Sequence, residues 1–179
     1  MKALTTFGSM ATVILALLTV ISLAGCGATA YSNTKYKFSL KYPSNMTVHD
    51  ENTPLSETAT EALYLTGDNT PYMAYVYVSD VGGASLLSVE ASEKESLTGP
   101  SNDKKITDIK DETTTLGGQP AMQISYNSDD SEEKDFNQEV FTIKDGKEYQ
   151  LEVGAPSADY SKAPASDPFQ NMKESFKFL

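Results

Sequence analysis

The densest group of side chains that could do chemistry lies in the acidic stretch NSDDSEEKD, at residues 127–135. Oxygen-bearing side chains occupy every second position of this stretch: Asn127, Asp129, Ser131, Glu133 and Asp135. Oxygen ligands that alternate in this way resemble the start of a calcium-binding loop. The sixth position is Glu132 where such loops need glycine, and the twelfth is Gln138 where they need glutamate. We therefore expect a solvated acidic loop instead of a tight calcium site, with weak cation binding as the alternative.

Four tyrosines form a second candidate group: Tyr64, Tyr72, Tyr75 and Tyr77. Tyrosines that share one face of a sheet could form a platform for a ligand. The commoner arrangement is an aromatic core packed beneath a helix. The sequence leaves both alternatives open.

Catalytic and zinc chemistry find little support in the sequence. His49 is the only histidine and Cys26 the only cysteine, so a zinc site lacks ligands at the usual spacings. A catalytic histidine needs a nucleophile and an orienting acid. Asp50 and Glu51 follow His49, but the sequence contains no G-x-S-x-G or comparable nucleophile motif. We expect a surface histidine at a strand end, and a protein that is not an enzyme.

The first residues of the chain indicate export and lipid attachment. After Lys2, residues 10–23 (MATVILALLTVISL) carry no charge, which is the length of a signal-peptide core and short for a membrane span. The run ends in Leu23-Ala24-Gly25-Cys26, which resembles the lipobox of bacterial lipoproteins. The resemblance implies a signal peptide over residues 1–25 and a diacylglyceryl and acyl lipid on Cys26. That lipid would hold the protein at the extracytoplasmic face of the cell membrane.

Charge and composition limit the partners. The formal net charge is −11, and removal of residues 1–25 takes away one further positive charge, that of Lys2. The chain contains no arginine, the side chain best suited to bind phosphate groups. We therefore expect neither nucleic acid nor nucleotide as a partner, and no cofactor besides the lipid.

Hydrophobic patterning predicts one domain of strands and two helices over residues 35–179, after a short flexible linker at residues 26–34. A helix capped by Ser85 should run to Leu97, with Glu90 and Lys94 spaced for an ion pair. Alternating or apolar segments predict strands at residues 35–42, 46–48, 62–65, 72–78 (central in the sheet), 106–116 and 119–126.

Two features near the end of the chain allow sharper predictions. A three-residue turn at residues 144–146 would pair Phe141 with Tyr149 and align the apolar residues of the last hairpin. A final helix, capped by Ser166 or Asp167, would present one apolar stripe made of Phe169, Met172 and Phe176. We expect this helix to cover the sheet and close the core.

Several segments, in order, resemble PsbP-like domains: YKFSLKYPSNMTV (residues 36–48), LGGQPAMQISY (116–126), FTIKDGKEYQLEV (141–153) and ESFKF (174–178). One departure is Met46, where the family often has tryptophan; both are apolar and can fill the same end of a core. The resemblance implies an α+β fold, an antiparallel sheet flanked by helices in an α/β/α sandwich. It also implies a non-enzymatic accessory or binding domain, here for another envelope protein. The alternative is a module that weakly binds a cation or small ligand.

The lipobox generates the first testable prediction. Cys26→Ser should abolish lipid attachment without unfolding the domain, because only a thiol can accept the diacylglyceryl group at this position. Labelling cells with a radioactive fatty acid measures this directly, and equal label in the variant and the parent would contradict it.

Overall fold

The computed structural model describes residues 27–68, 71–99, 104–129, 134–157 and 168–179. Cys26 and the predicted helix cap at Ser166 or Asp167 lie outside these ranges. The helices within them are α1 (Leu86–Thr98) and α2 (Pro168–Ser175). Neither is long and apolar enough to cross a bilayer. The strands are β1 (Ala28–Asn33), β2 (Phe38–Pro43), β3 (Met46–Asp50), β4 (Thr53–Pro54), β5 (Ala59–Gly67), β6 (Met73–Asp80), β7 (Lys105–Leu116), β8 (Gln119–Asp129), β9 (Lys134–Lys144), β10 (Lys147–Pro156) and β11 (Lys177–Phe178).

The strands form two antiparallel sheets. The large sheet has the order β3-β5-β6-β10-β9-β8-β7, with β4 paired to β5, and the small sheet has the order β1-β2-β11. The predicted central position of residues 72–78 is confirmed, since β6 lies between β5 and β10. The fold is thus mostly antiparallel sheet with two described helices, and the small sheet joins α2 in covering one face of the large sheet.

One face of the large sheet, called here the α2 face, carries the main apolar core. Leu63, Val76 and Leu151 lie on it in adjacent strands and are fully buried. The small sheet and α2 cover them with the following buried side chains: Phe38, Leu40, Phe169 and Met172. Met46 also belongs to this core, so the prediction for the position where the family often has tryptophan is confirmed.

The opposite face, called here the α1 face, carries Tyr64, Glu152 and Phe141. α1 packs on part of it, where Val89 and Leu97 join a second apolar cluster. The helix begins as predicted, since the backbone N–H of Ser88 donates to Ser85 Oγ at 3.2 Å. The predicted ion pair is also present, with Lys94 Nζ at 2.7 Å from Glu90 Oε1.

The predicted linker is wrong for six of its residues. Ala28–Asn33 forms β1, which pairs antiparallel with β2 along its whole length. This stretch lacks alternating apolar residues, but two side chains anchor it. The Tyr31 ring lies 5.9 Å from that of Phe38, and the buried Asn33 amide donates to the carbonyl of Ala62 at 3.2 Å. The folded domain therefore begins before residue 35.

The predicted register of the last hairpin is also wrong. Lys147 pairs with Lys144, which makes a two-residue turn of Asp145 and Gly146 and places Phe141 opposite Gln150. Both turn residues have positive φ, 52° and 76°, as the tight hairpin turn that matches strand twist requires. The prediction sought an apolar partner for Phe141, but the α1 face mixes apolar and polar side chains.

The end of the chain closes the α2-face core, as predicted. Phe176 is 3% exposed, and its ring stacks on that of Phe38 with centroids 5.2 Å apart. Nearby, a Cβ at Gly117 would lie 2.7 Å from the Phe178 ring, so this turn position has no room for a side chain. The final helix and strand are therefore part of the domain core.

Phe176→Ala should lower the free energy of unfolding by about 3–5 kcal/mol, because it leaves a cavity in a packed aromatic core. Urea unfolding of the purified protein measures the change. Leu87→Ala is the matched control, since Leu87 is 72% exposed on α1 and should shift stability by at most about 0.5 kcal/mol. An unchanged midpoint for Phe176→Ala would contradict the packing described above.

Candidate functional site

A row of stacked aromatic rings crosses the α1 face. Tyr64 lies opposite Tyr75 on the neighbouring strand, with ring centroids 4.8 Å apart and an interplanar angle of 1°. Tyr77 stacks on Tyr75 at 5.5 Å, and His49 lies against Tyr64 at 5.5 Å. The three tyrosines are half-buried, so part of each ring reaches solvent. Tyr64, Tyr75 and Tyr77 are together called the aromatic row.

His49 lies where the sequence analysis expected it, whereas one of the four predicted platform tyrosines does not. His49 is exposed and forms a hydrogen bond between its Nε2 and the Thr66 hydroxyl. Tyr72 packs against the α2-face core, so three of the four predicted platform tyrosines lie together and the fourth does not. Tyr72 lies two residues before Ala74 and four before Val76, so alternation places it on the α2 face with them, on the opposite side of the strand from Tyr75 and Tyr77.

Next to the aromatic row, the α1 face carries buried carboxyl groups. Glu139 on β9 lies directly opposite Glu152 on β10. Glu139 is 3% exposed; its Oε2 accepts a hydrogen bond of 2.7 Å from Gln150 Nε2, while its Oε1 has no hydrogen-bond partner. Glu148 is 9% exposed, and its Oε1 has no partner either. Glu152 is half-buried.

A fourth carboxyl group comes from α1. Val89, Glu93 and Leu97 recur at every fourth position, so they lie along one side of the helix. Val89 and Leu97 are buried against the sheet, which places Glu93 between two apolar contacts. The negative charge of Glu93 acts on Glu139, Glu148 and Glu152. These four glutamates are called the carboxylate cluster.

Burial and mutual repulsion favour the neutral form of the carboxylate cluster. Burial, then Glu152 and Glu93, raise the pKa of Glu139 to about 8 despite the Gln150 hydrogen bond. Burial and Glu93 raise the pKa of Glu148 to about 7. The same two causes raise the pKa of Glu152 to about 7, although the positive charge of Lys104 opposes them. Burial alone raises the pKa of Glu93.

Tyrosines border the carboxylate cluster. Burial and then the charge of Glu152 raise the pKa of both Tyr77 and Tyr126, so each keeps its hydroxyl proton. Burial and then Tyr64 raise the pKa of Tyr75 to about 12. The aromatic row and the carboxylate cluster therefore form one continuous surface of ring faces and acidic groups.

The acidic stretch at residues 127–135 does not form a convergent site in its described part. Asn127 and Asp129 alternate with Ser128 along β8, and Asp135 lies opposite Ser128. Asp135 therefore faces the other side of the sheet from Asn127 and Asp129. Ser131 and Glu133 lie outside the described residues. Over the ranges that are described, no three His, Cys, Asp or Glu side chains are grouped to hold a metal ion.

A cleft of about 730 Å³ opens between β2, the turn before β3 and α2. Tyr42, Met46 and Tyr72 contribute apolar walls, while Glu174 contributes a polar group. Gly27 also lines the cleft, which thus lies beside the residue that follows Cys26 in the chain.

Sequence reasoning did not identify the carboxylate cluster. One signal was available: Glu93 interrupts an apolar stripe formed by Val89 and Leu97, where a solvated residue is not expected. The pairing of Glu139 with Glu152 depends on the register of the last hairpin, which the sequence did not reveal.

The raised pKa values predict that the protein loses stability as the pH rises. Carboxyl groups whose pKa is higher in the folded state bind protons more tightly there, so their stabilising effect is full at low pH. Unfolding free energy should fall between about pH 5 and pH 8, by up to about 1.4 kcal/mol for each unit of pKa elevation. Urea melts across this range measure it. Glu139→Gln should flatten the dependence, and a stability that rises with pH would contradict the account.

No known family model matches the sequence, and no curated protein matches it. Solved structures do share its fold. Cyanobacterial PsbP from Synechocystis (CyanoP) has a TM-score of 0.64 and 15% identity, covering 88% of this chain and 96% of that one. The Ran-binding protein Mog1p of Saccharomyces cerevisiae has a TM-score of 0.60 and 9% identity, covering 86% and 96%.

A third similar structure is LpqN, which is involved in cell envelope biogenesis in Mycobacterium tuberculosis. Its TM-score is 0.59 at 14% identity, with 86% of this chain and 91% of that one covered. Identities this low show a likeness of fold alone. The resemblance drawn from the sequence motifs is confirmed at that level: the chain forms a PsbP-like domain.

Proposed function

We propose that this protein is a lipid-tethered, non-enzymatic accessory domain at the extracytoplasmic face of a bacterial membrane, where it binds another envelope protein through the aromatic row. The lipobox ending at Cys26 supports the tether. The PsbP-like fold supports an accessory role, because two structural neighbours are described as a Ran-binding protein and as a participant in cell envelope biogenesis.

The observation that carries the proposal is the stacking of Tyr64, Tyr75 and Tyr77 on a sheet face with each ring partly open to solvent. Tyrosine offers a large contact area with few rotatable bonds, so a partner that binds it orders little side-chain freedom. Stacking restricts these rings before a partner arrives, which lowers the cost of binding further. Tyrosine is also one of the residue types that contribute most to binding energy when a partner buries them in an interface.

A second candidate function is small-ligand binding in the cleft beside Gly27. Its volume of about 730 Å³ lies within the range of small-molecule sites. Its wall combines apolar groups from Tyr42, Met46 and Tyr72 with the polar side chains of Lys41 and Glu174. An amphiphilic ligand would suit this mixture better than a purely polar one.

The proposal is tested by crosslinking the full-length protein in its native membrane. Tyr75→Ala should remove the crosslinked adduct, because it takes out the central ring of the aromatic row, while Tyr75→Phe keeps the ring and should keep the adduct. Leu87→Ala, on the exposed side of α1, is the matched control and should leave the adduct unchanged. An adduct that survives Tyr75→Ala in a folded protein would contradict the proposal.

A further inference from the structure

The carboxylate cluster lacks compensation that buried charges ordinarily have. Glu139 and Glu152 face each other across β9 and β10, where opposed side chains have Cβ atoms about 5 Å apart and like charges destabilise the pair. Glu93 adds a third acidic group from α1. Nearly all buried polar atoms in proteins have hydrogen-bond partners, yet the Oε1 atoms of Glu139 and Glu148 have none.

Such oxygens are stabilised either by protons or by a bound cation. Burying an unpaired carboxylate is costly, whereas a paired and hydrogen-bonded one is tolerated. Two features favour a cation at the opposed pair: Glu139 Oε1 has no hydrogen-bond partner, and tyrosines with electron-rich faces border the cluster. A tyrosine ring attracts a cation that lies over its face.

We propose that Glu139 and Glu152 of the carboxylate cluster bind a primary ammonium group, the chemistry of a lysine side chain, supplied by the partner that docks on the aromatic row. This inference rests on the proposed function and names the group that the partner inserts. An ammonium carries three donors on one nitrogen, which can satisfy one oxygen each from Glu139 and Glu152, the two carboxyl groups that lie directly opposite each other. An ammonium group only donates hydrogen bonds, and ionised carboxylate oxygens only accept them, so the two are complementary.

The arrangement suits an ammonium group better than a divalent metal ion. Calcium needs six to eight oxygens at about 2.3–2.6 Å around one point. Within the described ranges, no three His, Cys, Asp or Glu residues are grouped in that way. Glu148 and Glu152 are four residues apart on one strand, too far apart to contact one ion, so the ammonium group contacts the opposed pair Glu139 and Glu152 and not Glu148.

The approach to the cluster lies on the side of the aromatic row. Tyr77 and Glu152 are half-buried, while Glu139 and Glu148 are buried, so the acidic groups become less accessible with distance from the row. A lysine side chain could lay its apolar stem along the Tyr75 and Tyr77 rings and direct its charged end inward. The negative charge of the protein would favour the approach of a basic segment.

Protons compete with the ammonium group for the same oxygens. The charged groups that act on the glutamates of the sheet are Glu93 on α1, Lys104 just before β7, and Glu148 and Glu152 themselves. Tyr75, Tyr77 and Tyr126 border them, and Glu61 also acts on Tyr75 and Tyr77. Among these, the three glutamates of the sheet are held largely neutral at low pH. Ammonium binding should therefore strengthen as the pH rises and should release protons.

The experiment uses n-butylammonium chloride, which reproduces the end of a lysine side chain, titrated into the full-length protein in detergent. Calorimetry should show binding about tenfold tighter at pH 8 than at pH 6. The measured heat should change with the ionisation enthalpy of the buffer, because the buffer takes up the released protons. Glu139→Gln and Glu152→Gln should each weaken binding by at least about tenfold. Glu95→Gln, on the exposed side of α1, is the matched control and should bind as the parent does.

The other outcomes overturn either the ammonium site or the proposed function, and they distinguish the two. Binding of calcium chloride with no response to n-butylammonium would make the cluster a metal site, and no response to either would make it a proton site only. A native-membrane adduct that is lost in Tyr75→Ala but kept in folded Glu139→Gln would leave the proposed function standing and contradict the ammonium site. Loss of the adduct in neither variant, with n-butylammonium binding intact, would contradict the proposed function alone.

Discussion

The pairing of Glu139 with Glu152 beneath α1 is the constraint on which this side of the molecule depends. Two acidic side chains face each other on the α1 face of the sheet, and the helix that packs on the same face adds Glu93 between Val89 and Leu97. The apolar contacts hold the helix in place, while the carboxylates resist it whenever they are charged. The packing of α1 on the sheet is therefore linked to the neutralisation of the carboxylate cluster, by protons or by a cation.

Among the described residues, the buried carboxyl oxygens without a partner lie on the α1 face, and the α2 face provides the stability that this linkage requires. Phe38 stacks on Phe176 and meets the Tyr149 ring edge-on, while the Tyr149 hydroxyl donates to the carbonyl of Tyr36 at 3.0 Å. This core joins the start of the domain to its end. Because the two faces use opposite sides of the same strands, the α1 face can carry unfavourable acidic pairs without loss of the fold.

Local patterns in the sequence predicted local structure well. The Ser85 cap, the Glu90–Lys94 pair and the hairpin around Gly117 follow from residues near one another in the chain, and all three are confirmed. The last hairpin is an exception, because the register of its local turn was predicted wrongly. The other errors arose where distant partners decide the outcome. β1 is held by Tyr31 and Asn33 through contacts beyond its own segment.

The candidate site was predicted only in part, for the same reason. Tyr64, Tyr75 and Tyr77 share a face because β5 and β6 pair in register, and alternation alone placed Tyr75 with Tyr77. Dense acidic residues drew attention to residues 127–135, whereas the buried glutamates are dispersed along the chain. Burial raises the pKa of those glutamates. Sequence reasoning expects acidic side chains to be exposed, so it does not predict that they are buried.

The most direct test of this account is a titration of the Glu139 side-chain carboxyl carbon, followed by NMR in the isolated protein. The account predicts a midpoint at about 8, mainly because the carboxyl is buried, and a lower midpoint when Glu152→Gln and Glu93→Gln remove the neighbouring charges. A midpoint near 4.5 in the unaltered protein would contradict it, because the carboxylate would then be charged and adequately solvated or paired without any ligand.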